Sequence, residues 1–302
     1  MKAIIVTGAT GKQGRALIRN LISKETPYEI LAITRDPSSA SAERLAKLSP
    51  KIRLVEANLD NPVDVFENAR TASDNPLWGF FNVQVAIGNT TSEETQGKAL
   101  IDEAIRQNIK FLVYSSVDRG GDATSYDNAT NIPHFIKKYN IEHHLVEKTK
   151  GTDTEWFILR PTAFFENLVP GFMGKVFATS WDMTLKSKPL QLVSTSDIGY
   201  LAAEAFMNHE KYKGTAVSLA GDELTYEQMA KVFKEKTGQK VPTTFRPVCS
   251  VLMASMKDFG LMFRWFRDEG YKADIADLRA KHPELKDFGT WLEKESQFMK
   301  HS

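Results

Sequence analysis

The apolar run Ala3-Ile-Ile-Val-Thr7 leads straight into Gly8-Ala9-Thr10-Gly11-Lys12-Gln13-Gly14, and a helical pattern begins within those glycines. A β-branched run, a glycine turn and a helix in immediate succession leave few folds open. Glycines so spaced permit a tight turn and let the backbone approach a ligand closely. The first amides of the helix have no acceptor within it, so they can hold a pyrophosphate. A turn used only for packing is the plainer alternative. A P-loop does not fit: Ala9 and Thr10 alone separate Gly8 from Gly11-Lys12, and Gln13 stands where Ser or Thr is needed.

The alternation begun here continues. Strand-like runs at Glu29–Thr34, Ile52–Glu56, Gly79–Val85 and Phe111–Ser115 are separated by helical patterns, one of them the long stretch Ser92–Gln107. Five β-α units predict a parallel sheet buried on both faces, a doubly wound Rossmann-type α/β architecture. A sixth unit follows, with a helix over about 132–149 and the strand Trp156–Arg160 stopped by Pro161. From Thr162 the pattern is irregular, with Pro170, Gly171, Gly174 and Pro189. A helix after Ser196, a strand near 216–219, a capping box at Thr225 and Gln228, and helical segments rich in Met, Phe and Trp complete the chain. Residues 1–160 are expected to form the dinucleotide domain. Residues 161–302 are expected to form a smaller, mostly helical domain, some of whose strands can return to the main sheet.

In such sheets ligands bind beyond the carboxyl ends of the strands. After the second strand stands Thr34-Arg35-Asp36-Pro37. A carboxylate at this place usually meets the ribose of NAD, whereas a cation suits the 2′-phosphate of NADP. Arg35, with Ser38 and Ser39 as further donors, therefore favours NADP(H). Asp36 either caps the next helix or touches a ribose. After the third strand, Asn58 and Leu59 frame an adenine edge or simply form an Asx turn into the Pro62 helix. After the fourth, Gln84 is placed near the diphosphate or the nicotinamide ribose, or is only a polar strand end.

Composition narrows the classes. The 302 residues are 42% hydrophobic and 25% charged, enough for a sizeable core. With 39 basic and 38 acidic side chains the formal charge is +1, which offers no global field for nucleic acid or an anionic membrane. Cys249 has no second cysteine to pair with, and no apolar run approaches the roughly 20 residues of a membrane span. A cytoplasmic or nuclear protein is expected. His143 and His144 are adjacent and lack partners at ligand spacing, so no metal site is expected. No G-x-S-x-G elbow or Cys-His signature suggests acyl transfer.

The glycine pattern TGATGKQG, the TRDP after the second strand, YSS at the fifth, HFIKK and RPTAFFENL together resemble the NmrA-like family, atypical short-chain dehydrogenase/reductases. The likeness extends through EKYKGTAVSLAG to FGTWLEKESQF. It implies an NADP(H)-binding Rossmann domain and members that are redox-sensing regulators or oxidoreductases. It also implies phosphates on Gly8 to Gln13, the 2′-phosphate on Arg35, adenine near Asn58, and a nicotinamide side formed by Gln84, Lys138 and the loop containing Phe164 and Asn167.

Ordinary short-chain dehydrogenases pair a Tyr with a Lys four residues later, and here those places hold His134 and Lys138. Either acid–base chemistry is abandoned and the cofactor is only bound, or Lys138, with or without His134, supplies the proton. His134 can equally be a helix residue with no role. Ser115 and Ser116 either orient a carbonyl or satisfy the turn before Asp118, the structural use being preferred. The Met and Phe stripe 251–266 reads as core before it reads as a docking or substrate surface. Two functions follow: a regulator that couples NADP(H) to a partner such as a transcription factor, and an NADPH-dependent reductase of a small carbonyl or enone. A scaffold stabilised by nucleotide is the third.

Overall fold

A computed structural model of the chain describes residues 1–84 and 92–299; Val85, the expected end of the fourth strand, falls outside them. In chain order the first elements are β1 (Lys2–Val6), α1 (Lys12–Ser23), β2 (Tyr28–Thr34), α2 (Ala40–Ala46), β3 (Ile52–Glu56), α3 (Pro62–Thr71), β4 (Leu77–Asn82), α4 (Ser92–Arg106), β5 (Phe111–Ser115), α5 (Pro133–Thr149) and β6 (Glu155–Pro161). There follow β7 (Ala163–Phe164), a 3-10 turn (Phe165–Asn167), α6 (Phe172–Leu185), β8 (Leu190–Val193), α7 (Thr195–Met207), α8 (His209–Tyr212), β9 (Thr215–Leu219) and β10 (Asp222–Leu224). Five helices close the chain: α9 (Tyr226–Thr237), α10 (Arg246–Ser255), α11 (Lys257–Asp268), α12 (Ile275–Lys281) and α13 (Phe288–Lys294).

The main sheet has seven strands in the order β3-β2-β1-β4-β5-β6-β9. The five pairs from β3 to β6 are parallel. This is the Rossmann-like doubly wound arrangement, and its strand order reverses between β1 and β4. All seven residues of β2 and all six of β4 are buried, which is why the stretches Ile30–Ile33 and Leu77–Phe81 read as apolar runs rather than alternating ones. One layer of helices packs Val65, Phe66, Leu100, Ile101, Ile141 and Leu145 onto Ile5, Leu31, Phe80 and Leu112.

The chain divides into two compact units, each made of separate stretches. The first holds 1–116, 137–159 and 198–217; the second holds 117–136, 160–197 and 218–302. In the second unit β8 pairs antiparallel with β10 and parallel with β7. Trp181, Phe165, Phe263, Phe288 and Trp291 build its core. Thr225 and Gln228 form the expected capping box of α9, and Asp274 and Asp287 cap α12 and α13.

Helix α6 replaces the irregular stretch expected after Thr162. Its residues Val176 to Trp181 are all buried, so no polar face gives it a helical period. The stripe 251–266 divides: Phe263, Trp265 and Phe266 are core, while Val251 and Met256 are exposed. No described helix is long and apolar enough to cross a membrane.

Candidate functional site

The glycine turn is built against the end of β4. Thr7 Oγ1 donates to the carbonyl oxygens of Phe81 (3.0 Å) and Val83 (3.1 Å) and accepts from the Val83 amide (2.9 Å). Gly8 has φ +57°, and a Cβ there would sit 2.9 Å from Val83 Cγ1. Gly11 closes the turn by donating to the Gly8 carbonyl at 2.9 Å and is the N-cap of α1. Gly14, one turn into the helix, lies so close that its Cβ would be 2.4 Å from the Gly8 oxygen. The first turn of α1 carries no acidic residue that would compete for an anion. Ala9 and Gly14 are buried, Thr10 and Gln13 half-buried, and Gly8, Gly11 and Lys12 exposed. The cradle is thus complete in backbone alone and closed to side chains.

At the end of β2, Arg35 is exposed and has no carboxylate partner among the described residues. Asp36 is committed to its own turn. It accepts from the Ser38 amide (2.9 Å) and hydroxyl (2.6 Å), and these donors hold its carboxyl below the usual range. Ser39, not Asp36, is the N-cap of α2, accepting from Ala42 N. The hydroxyls of Ser38 and Ser39 both turn toward Asp36, so in this conformation neither is the free donor expected from the sequence. Asn58 accepts from the Asp60 amide at 3.1 Å, the Asx turn, and is exposed; Leu59 packs against the first unit's core.

Beyond β4, Gln84 is buried. Its amide nitrogen donates to Asn82 Oδ1, and its buried Oε1 has no partner among the described residues. An orphaned buried carbonyl oxygen is costly and points to a missing donor. At the end of β5, Ser115 Oγ donates to Gln13 Oε1 at 2.5 Å, tying the strand end to the glycine helix. Lys138 Nζ donates to the Ser115 carbonyl at 3.1 Å and lies 3.3 Å from a Glu93 carboxylate oxygen. Glu93 was not legible in the sequence, since no local spacing relates it to Lys138.

Lys138 belongs to the first unit; His134, on the same helix, belongs to the second. There Asp258 accepts from the His134 backbone amide (3.1 Å), and the same oxygen is 3.3 Å from Nδ1. Asp258 therefore caps α5 and orients the ring together. Also in the second unit, Glu166 secures the Phe164–Asn167 loop by accepting from Thr195 N (2.9 Å) and Oγ1 (2.7 Å). Among the described residues, Glu155, His209 and Glu210 can bring ligand atoms within 4.8 Å of one another. Lys213 already occupies that cluster, 2.9 Å from Glu155 and 2.8 Å from Glu210.

One carboxylate of the second unit titrates in an accessible range. Asp197 is buried, and burial raises it to about 6 despite the opposing pull of Lys286 at 2.7 Å; nearby Glu295 adds to the rise. A raised acid keeps its proton longer in the folded state, so its stabilising contribution is present below its unfolded value of 3.8 and is lost as pH rises through about 6. Asp197→Asn lacks this loss. The stability difference between variant and parent, read from melting temperatures, should move in the variant's favour between pH 4 and about 6.5. A difference constant across that range contradicts the assignment.

A sequence profile of the NmrA-like family matches residues 1–292. The NmrA-like family domain-containing oxidoreductase ptmS of Penicillium ochrochloron is 27% identical over 266 residues, covering 82% of this chain and 76% of its own. Among solved structures, the negative transcriptional regulator Nmra in complex with NAD superposes with a TM-score of 0.71 at 17% identity, over 98% of this chain and 95% of that one. The Citrobacter sp. triphenylmethane reductase complexed with NADP(H) gives 0.72 at 16% identity, over 96% and 98%.

Proposed function

Because the chain belongs to the NmrA-like family, we propose that its first unit binds NADP(H) and that the protein is a redox-sensing regulator, coupling nucleotide state to a protein partner such as a transcription factor. The observation that carries the binding is the glycine cradle: Gly8 and Gly14 leave no room for a Cβ, and the helix behind them has no N-cap side-chain hydrogen bond and no acidic residue in its first turn. Gly8 to Gly14 would hold the pyrophosphate and Arg35 the 2′-phosphate. Asn58 and Leu59 would border the adenine. Gln84 would meet a donor on the ligand, and Lys138 would meet the nicotinamide ribose. The complexes of NmrA with NAD and of triphenylmethane reductase with NADP(H) support a nicotinamide dinucleotide as the ligand.

Bound NADP(H) supplies a hydride donor or acceptor. The chain's own residues favour holding it over using it. His134 stands where a phenol would be, and its Nδ1 side is turned to Asp258. Lys138 is engaged by Ser115 and Glu93. A partner needs a surface, and the second unit exposes Phe245 (72%) and Val251 (66%) beside and on α10.

A second reading, an NADPH-dependent reductase of a small carbonyl or enone, draws support from the retained Lys138 and from relatives named as oxidoreductases. Sensing requires that the two redox states favour different conformations. Hydrogen exchange of the protein saturated with NADP+ or with NADPH is expected to differ over residues 245–256. Identical patterns contradict sensing. Substrate-dependent loss of NADPH absorbance that Lys138→Ala abolishes moves the conclusion to the reductase.

A further inference from the structure

Glu93, near the start of α4, is fully buried, and its carboxylate lies 3.3 Å from Lys138 Nζ, whose side chain is 8% exposed. Burying two charges is costly, and such a pair is a poor source of stability compared with apolar side chains of the same volume. Its effect on its surroundings is the better guide to its use. Lys138 donates to the Ser115 carbonyl at 3.1 Å, and Ser115 Oγ donates to Gln13 at 2.5 Å. Gln13 is the second residue of the helix that the glycine turn opens. The buried pair is thus joined to the cradle by two hydrogen bonds, all within the first unit.

A nicotinamide ring is positively charged when oxidised and neutral when reduced. An ammonium next to it in a low-dielectric site penalises only the oxidised form, and a carboxylate held against that ammonium cancels the penalty. We infer that Glu93, acting through Lys138, sets the balance between oxidised and reduced dinucleotide at this site. The inference rests on the reading that the first unit binds NADP(H), and it makes Glu93 a positioning and charge-balancing residue.

The test is calorimetric titration of the parent, Glu93→Gln, Lys138→Met and the double variant with NADP+ and NADPH. Glu93→Gln should weaken NADP+ relative to NADPH at least tenfold, about 1.4 kcal/mol. Lys138→Met should move the ratio the opposite way, and it decides the matter by itself if Glu93→Gln does not fold. The double variant should return the ratio to within about twofold of the parent, the margin expected when the two charges act on each other. A purely structural role for Glu93 would weaken both forms together. Ratios unmoved in the single variants that fold, with both nucleotides still bound, overturn this inference alone. No binding of either form to the parent overturns the NADP(H) reading and the inference with it.

Discussion

Gly14→Ala is expected to lower stability by about 3 kcal/mol and dinucleotide affinity by roughly a hundredfold. The direction runs against helix propensity, which favours Ala over Gly by about 1 kcal/mol inside a helix. What decides it is the neighbour. The added Cβ would lie 2.4 Å from the Gly8 oxygen, 2.7 Å from the Gly8 carbonyl carbon and 2.9 Å from Ala9 Cα. All three are backbone atoms, so no rotamer change relieves the overlap and the turn itself must open. Opening it moves the amides of α1 from the anion they would hold. Thermal unfolding and calorimetric titration of one preparation check both effects. A variant as stable as the parent that binds as tightly would mean that the turn tolerates a methyl group and that its close packing is not needed to hold the ligand.

Arg35→Ala should reduce affinity for NADPH and NADP+ by about tenfold to a hundredfold, the value of charge-assisted hydrogen bonds worth about 1.5–3 kcal/mol, and should leave NADH untouched. Arg35 is exposed at the end of β2, while Asp36, the one adjacent carboxylate, is engaged by Ser38. An Asp36 held ionised by those donors is less available to a ribose hydroxyl, so discrimination falls to the guanidinium. Equal losses for NADPH and NADH would place Arg35 on the pyrophosphate or on the protein's own stability.

The cradle could be read from the sequence because its glycines and the helix behind them are local, although the end of β4 that braces them is not. One strand, three glycines and one helix within Lys2–Ser23 contain the geometry, and the apolar periods of β1 to β5 place it in a parallel sheet. Helix α6 could not. Gly174 reads as a breaker, yet it sits inside the helix because a Cβ there would meet the Val169 oxygen at 1.9 Å. The contacts that finish the site were also hidden. Glu93 meets Lys138, and Ser115 meets Gln13, across long separations that no spacing rule reports. The same is true of Asp118, whose carboxylate accepts from Ser218 and Lys272. For Asp36 and Asn58 the sequence left a local cap or turn and a ligand contact both open, because the same polar groups serve both uses, and the structure shows the turns.

The measurement that tests the account most directly is calorimetric titration of the purified, nucleotide-free protein with NADP+, NADPH, NAD+ and NADH. Both NADP forms are expected to bind at least about tenfold more tightly than their NAD counterparts. Binding of none of the four, or equal binding of NADP(H) and NAD(H), would contradict the account.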